Sequence, residues 1–91
     1  MKKMLFIYNP NAGTGTLKPK LSDVIDIFTK AGYEVTAYPT QKYRDATEKM
    51  ETCPDGYDLI VCSGGDGTLD EVVKGMRTRG YEAPLGYIPA G

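Results

Sequence analysis

An α/β fold, a parallel sheet held between two layers of helices, is what the 91-residue chain predicts. Three observations predict it. Apolar runs of strand length alternate with stretches of helical spacing, in the order β-α-β-α-β-α-β. The connections between them are short. Two of these connections, Asn9 to Gly15 and Gly64 to Thr68, are glycine-rich, and each follows a strand and leads into a helix. At this length the chain buries roughly 60–68% of its unfolded surface, enough for one modest core.

The elements follow in order. Met4 to Tyr8 is a continuous apolar run, as expected of a strand covered on both faces. Turn formers follow, Asn9-Pro10-Asn11-Ala12-Gly13-Thr14-Gly15-Thr16. From Leu17, the apolar residues Leu17, Leu21, Val24, Ile25, Phe28 and Ala31 recur at helical spacing along one face. Gly32 is the expected stop. Tyr33 to Tyr38 alternates, with Tyr33, Val35 and Ala37 set against Glu34, Thr36 and Tyr38, which predicts a strand near an edge. Pro39 ends it. Asp45 to about Thr52 reads as a short polar helix with Asp45 as its cap. Cys53-Pro54-Asp55-Gly56 is a turn, and Tyr57 to Cys62 is a third strand, interrupted near its entry by Asp58. After the tight loop Ser63 to Gly67, the residues Leu69, Val72, Val73 and Met76 line one face of a third helix that ends at Gly80. Pro84 to Ile88 is a fourth strand. Crossovers between the strands are expected to be right-handed.

Composition excludes several classes of function. Eleven basic and twelve acidic residues leave no excess charge for binding nucleic acid or an anionic membrane. No apolar run approaches the ~18 residues of a membrane span, and the apolar start meets Asn9-Pro10-Asn11 with no cleavage site of a signal peptide. Cys53 and Cys62 form no metal or redox motif, so buried thiols in a cytosolic chain are expected. With no histidine, His-based triads, metal sites and general bases are absent from this chain. Tyr33, Tyr38, Tyr43, Tyr57, Tyr81 and Tyr87 are scattered, which predicts no base-stacking platform. Lys18, Lys20, Lys42, Arg44, Arg77 and Arg79 read as solvated surface. The chain stops at Ile88-Pro89-Ala90-Gly91, inside a strand-loop passage, and is expected to be a truncated piece of a longer protein.

Chemistry is expected at the carboxyl ends of the strands, where open parallel sheets bind ligands. Both glycine-rich loops lie there. Glycine lets the backbone approach a ligand closely, and the helix that follows offers free N–H groups and the positive end of its dipole to an anion. Neither loop satisfies the Walker A pattern. Neither completes G-x-G-x-x-G, because Asp70 and Lys18 stand at the third glycine position. A carboxylate inside a phosphate loop, Asp66, repels phosphate oxygens unless a divalent cation stands between them. The residues alone leave two readings: a metal-linked polyphosphate site, or a structural turn in which Asp66 or Thr68 caps the helix.

The run Gly64-Gly65-Asp66-Gly67-Thr68-Leu69-Asp70-Glu71-Val72-Val73-Lys74-Gly75-Met76 resembles the signature of the diacylglycerol kinase catalytic domain family. That family includes bacterial lipid kinases, sphingosine kinases and ceramide kinases, and is distantly similar to NAD kinases and phosphofructokinases. Asn9-Pro10-Asn11-Ala12-Gly13 resembles its first loop, Thr40 a threonine after its second strand, and Asp45-Ala46-Thr47 the start of its second helix. Pro84 to Gly91 resembles a motif that in the family continues Thr-x-Asn-Asp. The likeness covers nearly the whole chain, in order and spacing.

The resemblance implies a three-layer lobe like the N-terminal domain of NAD kinases and phosphofructokinases. It implies ATP-dependent phosphoryl transfer to a diacylglycerol-like lipid hydroxyl, with ATP and Mg2+ as cofactors. ATP would meet Asn9, Pro10, Asn11, Ala12, Gly13, Thr40, Gly64, Gly65, Asp66, Gly67, Thr68, Leu69 and Asp70, and Asp66 would be catalytic. The lipid site would lie in a β-rich domain absent from these residues, so the 91-residue piece alone is expected to be inactive. Peripheral contact with the inner face of a membrane and homo-oligomerisation are compatible with this; a nucleic-acid partner is not expected. The chain departs from the family at Ala12 and Thr14, where Ser and Lys are common, and at Asp70 and Lys74, where Asn is common. Two alternatives stay open, an NAD- or sugar-kinase relative and a stand-alone phosphate-binding module without catalysis.

Overall fold

The computed structural model describes residues 1–12 and 17–89, with side chains at 1–12 and 19–89. The expected order is present: β1 (Lys2–Tyr8), α1 (Leu17–Lys30), β2 (Tyr33–Pro39), α2 (Asp45–Thr52), β3 (Leu59–Gly64), α3 (Asp66–Arg79) and β4 (Leu85–Pro89). The four strands form one parallel sheet in the order β2-β1-β3-β4. The chain travels one way from β1 to β2, then reverses across β1 to β3 and on to β4. The helices change face with that reversal, as a constant hand of crossover requires.

The apolar run of β1 places it inside the sheet, and Met4, Leu5, Phe6 and Ile7 are wholly buried. Burying each such side chain contributes about 1.5–3 kcal/mol. Because strand side chains alternate between faces, β1 feeds two cores. Met4, Phe6 and Tyr8 join Val61 beneath Leu21, Val24 and Phe28 of α1. Leu5 and Ile7 join Ile60 and Cys62 beneath Ala46 and Met50 of α2 and Val72 and Met76 of α3. The two helices on that second face pack closely. A Cβ at Gly75 would stand 2.6 Å from the Thr47 carbonyl oxygen and 2.7 Å from the Met50 Cβ. The Thr47 hydroxyl donates to the Glu71 carbonyl at 2.8 Å.

Four local expectations change. β3 runs on to Gly64 and α3 begins at Asp66, so the expected five-residue loop shrinks to Gly65. The cause is packing: the Thr68 side chain folds over Gly64, where a Cβ would meet its Oγ1 at 2.5 Å. At the entry to β3, the Asp58 N–H donates to the Lys3 carbonyl and its carboxylate accepts the Lys3 N–H, both at 2.8 Å, so Tyr57 and Asp58 precede the strand. Tyr38 does not face solvent with Glu34 and Thr36; it packs against the α2–α3 core while Ala37 is exposed. Asp45 is not the cap of α2. Arg44 holds that position in the left-handed region, φ 67°, with no side-chain cap. The buried Asp45 carboxylate instead accepts the Gln41 N–H at 2.7 Å and the Tyr38 hydroxyl at 2.9 Å.

Candidate functional site

The strand order reverses between β1 and β3. At that switch point, the loops leaving their carboxyl ends diverge and open a crevice. The Asn9 N–H donates to the Ser63 carbonyl at 3.0 Å, and the Thr40 N–H donates to the Tyr8 carbonyl at 2.8 Å. Three strand ends are thereby tied together. The first loop starts with an Asx turn, in which the Asn9 carboxamide oxygen accepts the Asn11 N–H at 2.9 Å.

A cleft of about 300 Å³ opens at these ends. Asn9, Asn11, Thr40 and Thr68, expected from three separate segments, line it together. Gln41, Lys42, Tyr43, Ala46 and Glu71 complete the wall. The first three belong to a polar loop whose spacing matches no motif. Glu71 reads in the sequence only as part of the signature helix, and its place one turn in from the N-terminus brings it into the cleft.

α3 presents its N-terminus beside this cleft. Its cap is Gly65, which offers no side chain, and among the described residues no side-chain hydrogen bond closes the helix end. The reading in which Asp66 or Thr68 only caps the helix therefore loses its hydrogen bond. The first N–H groups of an α-helix have no acceptor within the helix. Among the described residues, apart from their chain neighbours and the helix's own backbone, nothing lies within 4 Å of where a Cβ would stand on Gly65 or Gly67. The backbone is open to an approaching anion. Asp66 and Gly67 are exposed and Thr68 is buried. The Gly64 carbonyl that precedes the turn accepts the Tyr87 hydroxyl at 2.8 Å, a support from β4 with no signal in the sequence.

The remaining expected residues divide. Pro10 and Ala12 are partly buried in the first loop, and Gly13 lies outside the described residues. Leu69 packs against the α2–α3 core. Asp70 lines a neighbouring groove with Gly67, Glu71, Lys74, Thr47, Arg44 and Tyr43. Arg79, expected as solvated surface, turns inward: its guanidinium donates to the Met50 carbonyl at 3.1 Å and to the Cys53 carbonyl, and pairs with Asp55 at 2.8 Å. Both cysteines are free and buried, as expected.

Among the described residues, no three His, Cys, Asp or Glu side chains gather into a metal-binding group. The exposed carboxylate of Asp66, at the head of α3, fits a cation that arrives with phosphates rather than one the protein holds unaided. The open backbone at Gly65 and Gly67 likewise fits the phosphates of a nucleotide. No helix among the described residues is long and apolar enough to cross a membrane.

Comparison with known proteins places the chain among its relatives. Diacylglycerol kinases of Staphylococcus aureus strains JH9 and Newman are 43% identical over 91 residues, covering 99% of this chain and 29% of theirs. The crystal structure of a diacylglycerol kinase from Bacillus anthracis str. Sterne superposes with a TM-score of 0.80 at 32% identity, over 99% of this chain and 33% of that one. A further structure from the same organism gives a TM-score of 0.86, also at 32% identity, over 31% of its own length. The chain thus spans less than a third of the curated relatives it matches, at 29% of their length. The model of the diacylglycerol kinase catalytic domain matches residues 3–91, and the chain belongs to that family.

Proposed function

We propose that these residues form the nucleotide-binding lobe of a kinase that transfers the γ-phosphoryl group of ATP to the hydroxyl of a diacylglycerol-like lipid. The observation that carries this reading is the meeting of Asn9, Asn11, Thr40 and Thr68 in one cleft at the switch point of the sheet, with the uncapped head of α3 beside it. The family match, together with the Asn9-Pro10-Asn11 loop, favours a lipid acceptor over NAD+. We place the lipid site in the part of the relatives' length that this chain does not span.

In this reading the N–H groups at the head of α3 hold phosphate oxygens, and the Thr68 hydroxyl and Asn11 add donors. Thr40 and Asn9 hold the rest of the nucleotide. Asp66 would help hold Mg2+ arriving with the nucleotide, and the ion would supply positive charge that neutralises the phosphates. Asp66 orients that charge from the first turn of the helix, where a carboxylate also suits the dipole. Such transfer depends mainly on positioning and charge neutralisation, so a histidine-free site is no obstacle.

Titration with MgATP followed by amide chemical shifts tests the site, with the largest changes expected at Asn9, Thr40, Gly65, Gly67 and Thr68. Changes confined elsewhere would overturn the assignment. In the full-length kinase, Asp66→Ala should lower lipid phosphorylation more than ~100-fold without loss of fold. Near-normal turnover would remove Asp66 from the mechanism, and phosphorylation of NAD+ instead of lipid would overturn the acceptor.

A further inference from the structure

Tyr43 is 85% exposed, one of three large apolar side chains among the described residues left in solvent. The other two, Met1 and Ile27, stand at the chain start and on α1. Tyr43 alone of the three lines the nucleotide cleft, and it also lines the adjoining groove with Gly67 and Asp70.

The backbone that carries Tyr43 is held at both ends. The Thr40 N–H is bound to Tyr8, and the Gln41 N–H to the buried Asp45 carboxylate. The Asp45 N–H donates to the Lys42 carbonyl at 3.2 Å, and Lys42 pairs with Glu48 at 3.2 Å. Arg44, next in sequence, adopts φ 67°, a left-handed conformation that costs a non-glycine residue about 1–2 kcal/mol. A loop pinned this way, with strain at its exit, holds an aromatic ring out of the core without needing it for packing. Rigid loops that present unpacked aromatic rings beside polar clefts are suited to flat ligands.

We infer that Tyr43 is the platform on which the nucleobase of the bound nucleotide stacks. The inference rests on the nucleotide-binding reading above. In that reading the head of α3 takes the phosphates, and Tyr43 lines the cleft with Thr68 and the adjoining groove with Gly67. A purine has an apolar π-face for the ring and a polar edge, which the carboxamide oxygen of the exposed Gln41 can meet as an acceptor while its Nε2 donates to the Pro39 carbonyl. The scatter of tyrosines along the sequence concealed this, because the platform needs only one ring.

Calorimetric titration separates the two ends of the ligand. Magnesium-ATP and magnesium-tripolyphosphate are titrated into the 91-residue chain and into its Tyr43→Ala and Tyr43→Phe variants. Tyr43→Ala should weaken ATP roughly 5- to 150-fold, the range of base–aromatic stacking, and leave tripolyphosphate affinity unchanged. Tyr43→Phe should retain ATP affinity. Equal ATP affinity in Tyr43→Ala would overturn the stacking role alone. Equal weakening of both ligands would show Tyr43 acting through the loop instead, and would overturn it too. Failure of ATP to bind the unmodified chain would remove the nucleotide reading and this inference together. With its ring in solvent, Tyr43 can be removed without loss of fold, which circular dichroism of the variants verifies.

Discussion

Cys62 is wholly buried in β3, and removal from water pushes its thiol up from 9.0 to about 11. Burial disfavours the thiolate, so the folded state keeps its proton to higher pH than the unfolded chain does. The resulting stability is fully present below pH 9 and is lost as pH rises through about 11. Tyr38, raised by its hydrogen bond to Asp45 and then by desolvation, and Tyr81, raised by burial, act in the same direction. Urea midpoints should therefore stay level up to about pH 9 and fall above it, with a shallower fall in Cys62→Ala. A Cys62→Ala profile parallel to that of the unmodified chain would exclude the thiol as a contributor. One residue along, Ser63 buries a hydroxyl with no partner among the described residues, a polar cost at the strand end beside the cleft.

Among the elements, α2 and α3 behave as a unit. Gly75 permits their close approach, Thr47 bonds across it, and Arg79 reaches from the end of α3 to carbonyls at the end of α2. Those carbonyls lie at the helix C-terminus, where carbonyl oxygens find no N–H donor within the helix, and a cation there also complements the dipole. Arg79→Ala should lower unfolding stability by about 1–3 kcal/mol, measured as a shift in urea midpoint. Arg79→Lys should recover only part, because an ammonium cannot match the guanidinium fork. An unchanged midpoint would return Arg79 to the surface role its sequence position suggests. The same unit carries Ala46, Thr68 and Glu71 into the cleft, so the packing of α2 on α3 sets the width of the site.

At the scale of the molecule, the two helical layers are unequal. α2 and α3 bury Ala46, Met50, Val72 and Met76, whereas Leu21, Val24 and Phe28 of α1 are only half-buried. Local opening follows the density of buried apolar contact. Hydrogen exchange should find β1 and β3 the most protected, α2 and α3 next, and α1 the first layer to open. Equal protection across all three helices would contradict this order. The site spans the better-held side, from β1 and β3 through α3 to the head of α2.

Much of this was legible in the chain itself. Continuous apolar runs marked β1 and β3 as interior strands because two buried faces leave no place for alternation, and helical spacing marked α1 and α3. The two glycine-rich loops marked the end of the sheet where ligands bind, and Asn9, Asn11, Thr40 and Thr68 do meet in one cleft. What adjacency in sequence could not reveal was decided by contacts between distant segments. Tyr38 turns to the core because Asp45, from α2, is there to accept its hydroxyl, and Asp45 is thereby drawn from capping. Arg79 turns inward because α2 ends beneath it. Tyr43 faces the cleft because Asp45 and Arg44 fix its loop. Periodicity and turn chemistry are local properties and can be read along the chain. The partner of a buried carboxylate, guanidinium or hydroxyl is a product of the sheet order β2-β1-β3-β4, and exists only once the strands have been assembled.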